Sequence, residues 1–425
     1  MWLDKFEKIW KIKSIRNNVL FVVAMLVIFR IVAHIPVPGV DISSLREYLA
    51  GNQVLGLLNV FSGGTMQNFS IVMLGIAPYI TSSIIFQLLT MIVPKLEEMS
   101  KEGDSGRQKI NSYTRLLAVP LAFLQSFGMI KILSQSGNSL LGNISAYQLF
   151  VIMLTITAGT IFLMWIGELI SEKKVGNGIS LLIFAGIITG LPIALRNAFV
   201  NYTPSDLYTY VGFAVIAVVT VVGVVFISEG QRNIPVTYAK QTRGQKSYGG
   251  SQSHLPIRVN MAGVIPIIFA ISLIMFPPMI AQFFVNAESA WIASVAMWTV
   301  TVFQNQIVYG TLYFTMVFGF TFFYTAVIFN PKQIAENLHR QGGFIPGIRP
   351  GSETRDYLQK TMVRINLTGA TFLSMIAVMP LALQGLLGTQ SLVIGGTSLL
   401  IIVSVAIDIA KQIDAQILMH EYDRI

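Results

Sequence analysis

Residues 208–228, YTYVGFAVIAVVTVVGVVFIS, contain no charged side chain and decide the class of fold. A helix of this length spans about 31 Å, which matches the hydrocarbon core of a bilayer. The whole 425-residue chain is similar in character, with 53% hydrophobic residues, 12% charged residues and a mean hydropathy of +0.66. So few charges could not cover the surface of a soluble protein of this size. We therefore predict an all-α polytopic membrane protein.

Nine further apolar runs are long enough to cross a bilayer as helices. The ten runs together cover roughly 18–35, 70–93, 116–133, 149–170, 179–200, 208–228, 260–281, 307–329, 365–386 and 392–411. A shorter run, 289–304, carries Trp291 and Trp298. Its length and its two tryptophans predict that it lies at the membrane interface or folds back on the outer side.

The basic residues divide very unequally between the two sides of these runs. The two termini and every second gap hold 25 of the 29 Lys and Arg residues, whereas the opposite side holds only Arg46, Lys131 and Arg196. The remaining one, Arg30, lies near the outer end of the first run. Basic residues are enriched in loops on the cytoplasmic side of a membrane, so both termini are expected to be cytoplasmic. Ten spans divide into five and five, with the second half inverted relative to the first. The predicted units are 18–200 and 201–411, followed by a cytoplasmic tail, 412–425.

The N-terminal segment 1–17 places apolar and aromatic side chains along one helical stripe and lysines on the other face. This pattern indicates an amphipathic helix on the cytoplasmic leaflet, and a simple charged tail is the alternative.

The predicted spans lack the residues that most membrane chemistry requires. The chain has no cysteine, its four histidines are far apart in sequence, and no predicted span has a carboxylate or histidine near its middle. Glu168 and Asp408 both lie near cytoplasmic ends. Thiolate metal sites and proton relays are therefore not expected, and no cofactor is predicted. A secondary transporter of a small solute remains the rival hypothesis, and an integral membrane enzyme is a second one. The transporter hypothesis requires a polar site at the middle of the membrane. The enzyme hypothesis requires ionisable residues clustered at one membrane depth.

The stretch 52–69, NQVLGLLNVFSGGTMQNF, is apolar in its first part but too short to span a membrane. Its Gly63-Gly64 pair would allow a short helix to fold back into an external funnel. An external loop with a short helical turn is the alternative.

Two loops are longer and more basic than a connection requires. The loop 229–258 has a net charge of +4, and its alternating apolar residues with a turn at 242–245 predict a projecting β-hairpin. The loop 330–364 has a net charge of +3. It begins with Asn330 as a helix cap, Pro331 follows as the first helical residue, and a stiff turn presents Arg349. Basic projecting loops suit phosphate backbones or acidic proteins, although cytoplasmic loops of membrane proteins are commonly basic without any partner.

Several stretches together resemble the SecY family, whose members form the central subunit of the bacterial Sec protein-conducting channel. The resemblance covers nearly the whole chain. It is carried by FRIVAHIPVPGVD (29–41), FSGG (61–64), LGIAPYITSSIIFQLLT (74–90), KEGDSGRQKI (101–110), GNGISLLIFAGI (176–187), GQRNIPVTYAK (230–240), HLPIRVNMAGVIPIIFA (254–270), NPKQIAENLHRQGGFIPGIRPG (330–351) and GGTSLLI (395–401). The family fold implied is a clamshell of ten transmembrane helices in two inverted five-helix halves.

The resemblance also implies a ring of aliphatic side chains that closes the channel at mid-membrane. The matching positions here are Ile76, Ile80, Ile179, Ile183, Ile268 and Ile401. A narrow collar of this kind resists water and ions by dewetting and can close around an extended chain without binding it.

A plug and a lateral gate are implied in the same way. The plug, about 54–66, would block the external funnel at rest. Its residues would be Leu55, Leu57, Leu58, Val60, Phe61, Ser62, Gly63 and Gly64. The second and seventh spans would form the two sides of the gate. Gln87 and Asn260 would be a polar pair that holds the gate shut until a signal helix replaces it.

The two basic loops match the region where the SecA motor and ribosomes dock in the family. The implied contacts are Lys240, Arg243, Lys246, Arg258 and Arg349. Asn233 and Gln245 stand where relatives often have basic residues, which weakens the expected docking without removing it.

The activity implied is that of a protein-conducting channel in the bacterial cytoplasmic membrane, not an enzyme. Secretory polypeptides would cross unfolded, and hydrophobic segments would leave sideways into the membrane lipids. No G-x-x-x-x-G-K-[ST] motif occurs, so the driving energy would come from SecA or the ribosome. Signal peptides and nascent chains would be the substrates, and the small SecE and SecG subunits are implied partners.

Overall fold

The computed structural model describes residues 10–37, 59, 62–135, 145–200, 207–238, 241–243, 246–248, 252–285, 287, 289–387 and 396–422. Helices dominate this part of the chain, as the composition predicts, and each of the ten apolar runs contains most of one helix. The segment 1–9, most of the predicted amphipathic helix, lies outside the described residues.

The described residues of the first half form six α-helices. They are α1 (Lys13–Val32), α2 (Ala77–Ile92), α3 (Pro94–Lys101), α4 (Asp104–Gln135), α5 (Ala146–Glu172) and α6 (Gly178–Val200), with a 3₁₀ helix at Met66–Asn68 between α1 and α2.

In the second half, the part that the structure describes adds seven helices and five short strands. The helices are α7 (Leu207–Glu229), α8 (Ile265–Phe284), α9 (Ala290–Gln304), α10 (Gln306–Ile328), α11 (Pro331–Arg340), α12 (Ser352–Leu387) and α13 (Gly396–Tyr422). The strands are β1 (Gln231–Tyr238), β2 (Gln241–Arg243), β3 (Lys246–Tyr248), β4 (Gln252–Arg258) and β5 (Gly343–Phe344).

Several helices begin or end away from the limits of the apolar runs. The apolar run that starts at residue 70 becomes helical only at Ala77, because residues 71–76 form turns and Gly75 has φ +58°. Conversely, α4 and α12 begin well before their apolar runs. The span helix α13 continues through the predicted tail to Tyr422, and α1 starts inside the predicted N-terminal segment. A helix needs only its backbone hydrogen bonds to continue past the apolar stretch, so composition does not mark its end.

The structure itself supports fewer spans than the ten predicted. Among the described residues, five helices are long and apolar enough to cross a bilayer, and α2 with α3, bent by 101°, would make a sixth. The number of ten spans therefore stays a prediction. The run 289–304 forms α9, a short apolar helix that packs on α8 and α10 and exposes both tryptophans.

The two halves meet along two seams. In the first, which we call the α8 seam, α8 packs against α2 and α4. In the second, the α13 seam, α13 packs against α1 and α6. Buried side chains from both halves join in one apolar cluster, which we call the central cluster.

Residues 62–76 form a buried, mostly non-helical segment that is tied to the end of α1. Ser70 donates its hydroxyl to the carbonyl of Val32 (2.9 Å), and Arg30 donates from its guanidinium to the carbonyl of Gly63 (3.2 Å). Thr65 and Ser70 are completely buried. The backbone of Gly63 (φ +79°) lies directly against Gly186 of α6. A Cβ atom added at Gly186 would lie only 2.3 Å from the Cα of Gly63.

The predicted hairpin is confirmed. β1 and β4 pair antiparallel from Gln231↔Arg258 to Thr237↔Gln252, and β2 and β3 extend the hairpin with Arg243↔Lys246 as the last pair before the tip. β5, from the second loop, pairs with β1. The cap predicted at Asn330 is also present, since its side chain accepts the N–H of Gln333.

We expect Gly186→Ala to destabilise the protein by about 1–3 kcal/mol, because the new methyl group cannot fit without moving the backbone at Gly63. Thermal unfolding of the purified protein, followed by tryptophan fluorescence, measures the effect.

Gly190→Ala is the matched control, one helical turn along α6, because a Cβ atom there meets no other atom within 4 Å. Equal melting temperatures for the two variants would show that the Gly63–Gly186 contact does not determine how this segment packs.

Candidate functional site

The six isoleucines predicted to form the ring belong to one apolar cluster. Five of them are buried members of the central cluster, with exposed fractions between 0% for Ile401 and 9% for Ile80, and Ile179 packs against it from a less buried position. They come from four elements of both halves. Ile76 and Ile80 lie at the start of α2, Ile179 and Ile183 at the start of α6, Ile268 in the first turn of α8 and Ile401 in the second turn of α13.

This arrangement brings helices from both seams to one place. α2 and α8 meet at the α8 seam, while α6 and α13 meet at the α13 seam. Isoleucine is branched at Cβ and restricted at χ1, so a collar built from it has well-defined walls. The sequence could place these residues only as ordinary core positions, and their roles as a ring stay a prediction.

The described plug residues lie beside these isoleucines. Gly63 contacts Gly186, which is three residues after Ile183 on α6. Ser62 is buried and donates to the carbonyl of Asn59 (3.0 Å), and the N–H of Gly64 donates to the same carbonyl (2.7 Å). The segment 62–64 is therefore folded into the protein, as expected if this stretch folds back from the outer side. Leu55, Leu57, Leu58, Val60 and Phe61 lie outside the described residues.

Sequence reasoning missed two residues that contact the predicted plug segment. Arg30 was considered only as a charge near the outer end of the first span, but it donates to the carbonyl of Gly63. Gly186 lies within a predicted span and was given no role of its own. No local pattern marks either contact, because the partners are 33 and 123 residues apart in sequence.

The predicted gate residues are not paired with each other. Gln87 donates to the hydroxyl of Ser83 on its own helix (3.4 Å), and its side-chain oxygen is buried without a partner among the described residues. Asn260 accepts the N–H of Gly263 (2.9 Å) in the turn that leads into α8. The Asn260 oxygen takes part in this local turn, and no direct hydrogen bond joins Asn260 to Gln87 across the α8 seam.

The two charged loops form one unit. Apolar residues of β1, β4, α11, α12 and the turn after β5 share a small core, which includes Val236, Ile257, Ile345 and Leu358 and which we call the hairpin core. Arg258 and Arg349 are both exposed at the surface of this unit. Thr354 donates to the carbonyl of Arg349 (2.9 Å), which fixes the turn that presents the arginine.

The remaining docking candidates lie in the outer part of the hairpin. Arg243 and Lys246 are partners in the register of β2 and β3, and they are the last described pair of this hairpin. Lys240 lies outside the described residues. The structure thus joins the two loops that carry the five predicted contacts, of which it describes four.

Two ion pairs tie neighbouring helices together. Arg115 of α4 pairs with Glu168 of α5 (2.5 Å), and Lys411 of α13 pairs with Glu229 at the end of α7 (2.8 Å). In the described part of the chain, no three His, Cys, Asp or Glu residues come together in a way that could hold a metal ion.

Comparisons with known proteins agree on one family. The SecY family model matches residues 70–410. The protein translocase subunit SecY of Halalkalibacterium halodurans is 41% identical, over 98% of each chain, and that of Pseudomonas aeruginosa is 42% identical, over 95% of this chain and 91% of the relative.

Solved structures of similar fold point the same way. A protein-conducting channel superposes with a TM-score of 0.63 at 18% identity, covering 92% of this chain and 90% of that one. Sec61 from a canine ribosome-channel complex gives 0.61 at 16% identity, with the same coverage. The length and identity of the sequence matches, together with this shared fold, establish that the chain belongs to the SecY family.

Proposed function

We propose that the protein is a protein-conducting channel that passes unfolded secretory polypeptides across the bacterial cytoplasmic membrane. It releases hydrophobic segments sideways into the lipid. The single observation that carries the proposal is the set of six isoleucines, which four elements from both halves of the chain bring into one apolar cluster. The 41–42% identical relatives are named as translocase subunits, and nothing in the comparisons favours a small-solute transporter.

The isoleucines act as a constriction. At rest they close on one another, and an aliphatic pore too narrow for a stable water column excludes ions. An extended polypeptide separates the side chains and takes the place of the apolar contacts that they lose. Because aliphatic groups make no hydrogen bonds, the constriction can surround any sequence without holding it.

The segment that contains Ser62, Gly63 and Gly64 acts as the plug. It lies against α6 one turn from Ile183, so its removal would open the path beside the ring. The lateral gate is the α8 seam between α2 and α8. Gln87 and Asn260 both lie near this seam with local partners. Each is therefore available to a signal peptide once the helices separate.

The energy for transport comes from partners, so the chain itself is not an enzyme. SecA or the ribosome docks on the unit formed by the two charged loops, through Arg258, Arg349, Arg243, Lys246 and Lys240. The ribosome-bound Sec61 neighbour supports a ribosome as one such partner. SecE and SecG complete the membrane complex. The unequal distribution of basic residues supports a cytoplasmic position for the docking unit and both termini.

The passage of polypeptide through the ring is testable because the chain has no cysteine. A single cysteine is placed at Ile401 or Ile76, and the protein is reconstituted with SecE and SecA. A secretory chain with one cysteine is then stalled in transit. Oxidation should give a crosslinked adduct, because the ring surrounds the moving chain.

Val218, an exposed residue of α7, is the control and should give no adduct. Translocation without a ring adduct at any register of the stalled chain would show that the pore lies elsewhere. Accumulation of a small solute without polypeptide transport would restore the transporter hypothesis.

Docking is tested by reversing a charge. We expect Arg349→Glu to weaken binding of SecA to the complex in nanodiscs by about tenfold or more, because a charge-assisted contact of about 1.5–3 kcal/mol is lost. The measurement is a binding titration at fixed salt concentration.

Arg355→Glu makes the same change nearby, at a residue that already pairs with Asp356 (2.8 Å). A similar loss of affinity in both variants would indicate a general charge effect and contradict a specific role for Arg349.

A further inference from the structure

The connection between α5 and α6 begins with an unusual backbone conformation. Lys174 has φ +56°, in the left-handed region that residues with side chains seldom adopt. The last carbonyls of a helix have no partner within the helix and must find one elsewhere. The carbonyls of Lys173 and Lys174 follow directly after the end of α5, and they too need partners from outside that helix.

A side chain from the other half of the protein supplies the partner. The amide nitrogen of Gln416, on α13, donates to the carbonyl of Lys174 (2.7 Å) and lies 3.5 Å from that of Lys173. Two residues of α1 contact the same turn. Asn18 donates to the carbonyl of Lys173 (3.5 Å), and the Lys173 ammonium lies 4.9 Å from the centre of the Phe21 ring.

Two further contacts fix α13 close to Gln416. Lys411 pairs with Glu229 at the base of the hairpin (2.8 Å). Ile409 lies close to Gly176, where an added Cβ atom would be 3.6 Å from its side chain. Further along the same helix, the completely buried Ile401 lies 15 residues before Gln416, about 22 Å away along the axis. The position and rotation of α13 at Gln416 therefore set where Ile401 points.

We propose that Gln416 is a positioning residue, which holds α13 against the α5–α6 turn and thereby keeps Ile401 in the constriction. The role of Ile401 rests on the proposed function, whereas the contact of Gln416 with the turn does not. When the channel opens, α13 stays bonded to the first half and the halves pivot about this contact.

The α8 seam has no comparable hydrogen bond between the halves among the described residues. The two predicted gate residues, Gln87 and Asn260, bond within their own half of the chain, so their hydrogen bonds do not resist separation of α2 from α8. Opening at the α8 seam therefore costs mainly apolar contacts, whereas separation at the α13 seam also breaks a short hydrogen bond.

The test compares Gln416→Glu with Gln412→Glu in the full-length protein reconstituted in lipid vesicles. The substitution is the same, and Gln412 lies one turn away on α13, where its side chain makes no hydrogen bond to a described residue. A carboxylate cannot donate to a carbonyl, whereas Gln416→Lys keeps a donor. Gln416→Met removes the donor without adding charge. It therefore separates the loss of the hydrogen bond from the effect of a new negative charge.

Spin labels on Glu172→Cys and Met419→Cys report the distance across the α13 seam by double electron-electron resonance. Both positions are exposed, and the chain has no other cysteine. We expect Gln416→Glu and Gln416→Met to raise the population of longer distances by about 2- to 10-fold, the loss expected for one hydrogen bond. Gln412→Glu and Gln416→Lys should match the wild type.

The second readout, in separate samples, is the adduct between a stalled chain and Ile401→Cys. Its yield should fall by about 2- to 10-fold with Gln416→Glu. The yield should recover with Gln416→Lys, whereas general destabilisation of the protein would lower it in both variants. Unchanged distances in Gln416→Glu and Gln416→Met, or an equal change in Gln412→Glu, would overturn the proposal. If the wild type forms no adduct with a stalled chain, the proposed function fails, and the distance measurement still decides whether Gln416 holds the seam.

Discussion

The close contact between the backbones of Gly63 and Gly186 is the constraint on which the centre of the molecule depends. It lets a mostly non-helical segment lie directly against α6, next to the buried isoleucines. Such a segment has polar backbone groups that need partners wherever water is excluded. Arg30, Thr65 and Ser70 provide them, and in doing so they tie the segment to the end of α1 and to its own turns. A side chain at Gly186 would separate the segment from α6 and leave these partners misplaced.

The helices could be predicted from the sequence because a long uncharged run has few alternatives, and each of the ten runs contains most of one helix. Their ends could not. α12 begins at Ser352 among charged residues, and α13 continues to Tyr422, because a helix outside the apolar region is stabilised by its own hydrogen bonds. Residues 70–76 were misjudged for the opposite reason. They are apolar, but Gly75 and the contacts to α1 impose turns that composition does not reveal.

The candidate site was less accessible to sequence reasoning than the fold. Ile401 and Ile268 look like any core isoleucine, and only resemblance to a family singled them out. The hairpin could be predicted from its alternating residues, whereas the pairing of β1 with β5 of the second loop could not. The contacts that link the halves, such as Gln416 with Lys174, join residues 242 positions apart, and no local pattern encodes them. Gln87 and Asn260 each bond within their own half of the chain and not to each other, and the sequence does not reveal these local partners.

The central claim is that the buried isoleucines form the seal of a channel rather than an ordinary core. Ion conductance across planar bilayers that contain the purified complex tests it most directly. Ile401→Asn and Ile156→Asn introduce the same polar group at two completely buried positions, of which only the first belongs to the ring. We predict that the wild type and Ile156→Asn stay closed to ions at rest, whereas Ile401→Asn conducts because a wetted ring no longer excludes water. Equal conductance in the two variants, or an Ile401→Asn channel as tight as the wild type, would contradict the account.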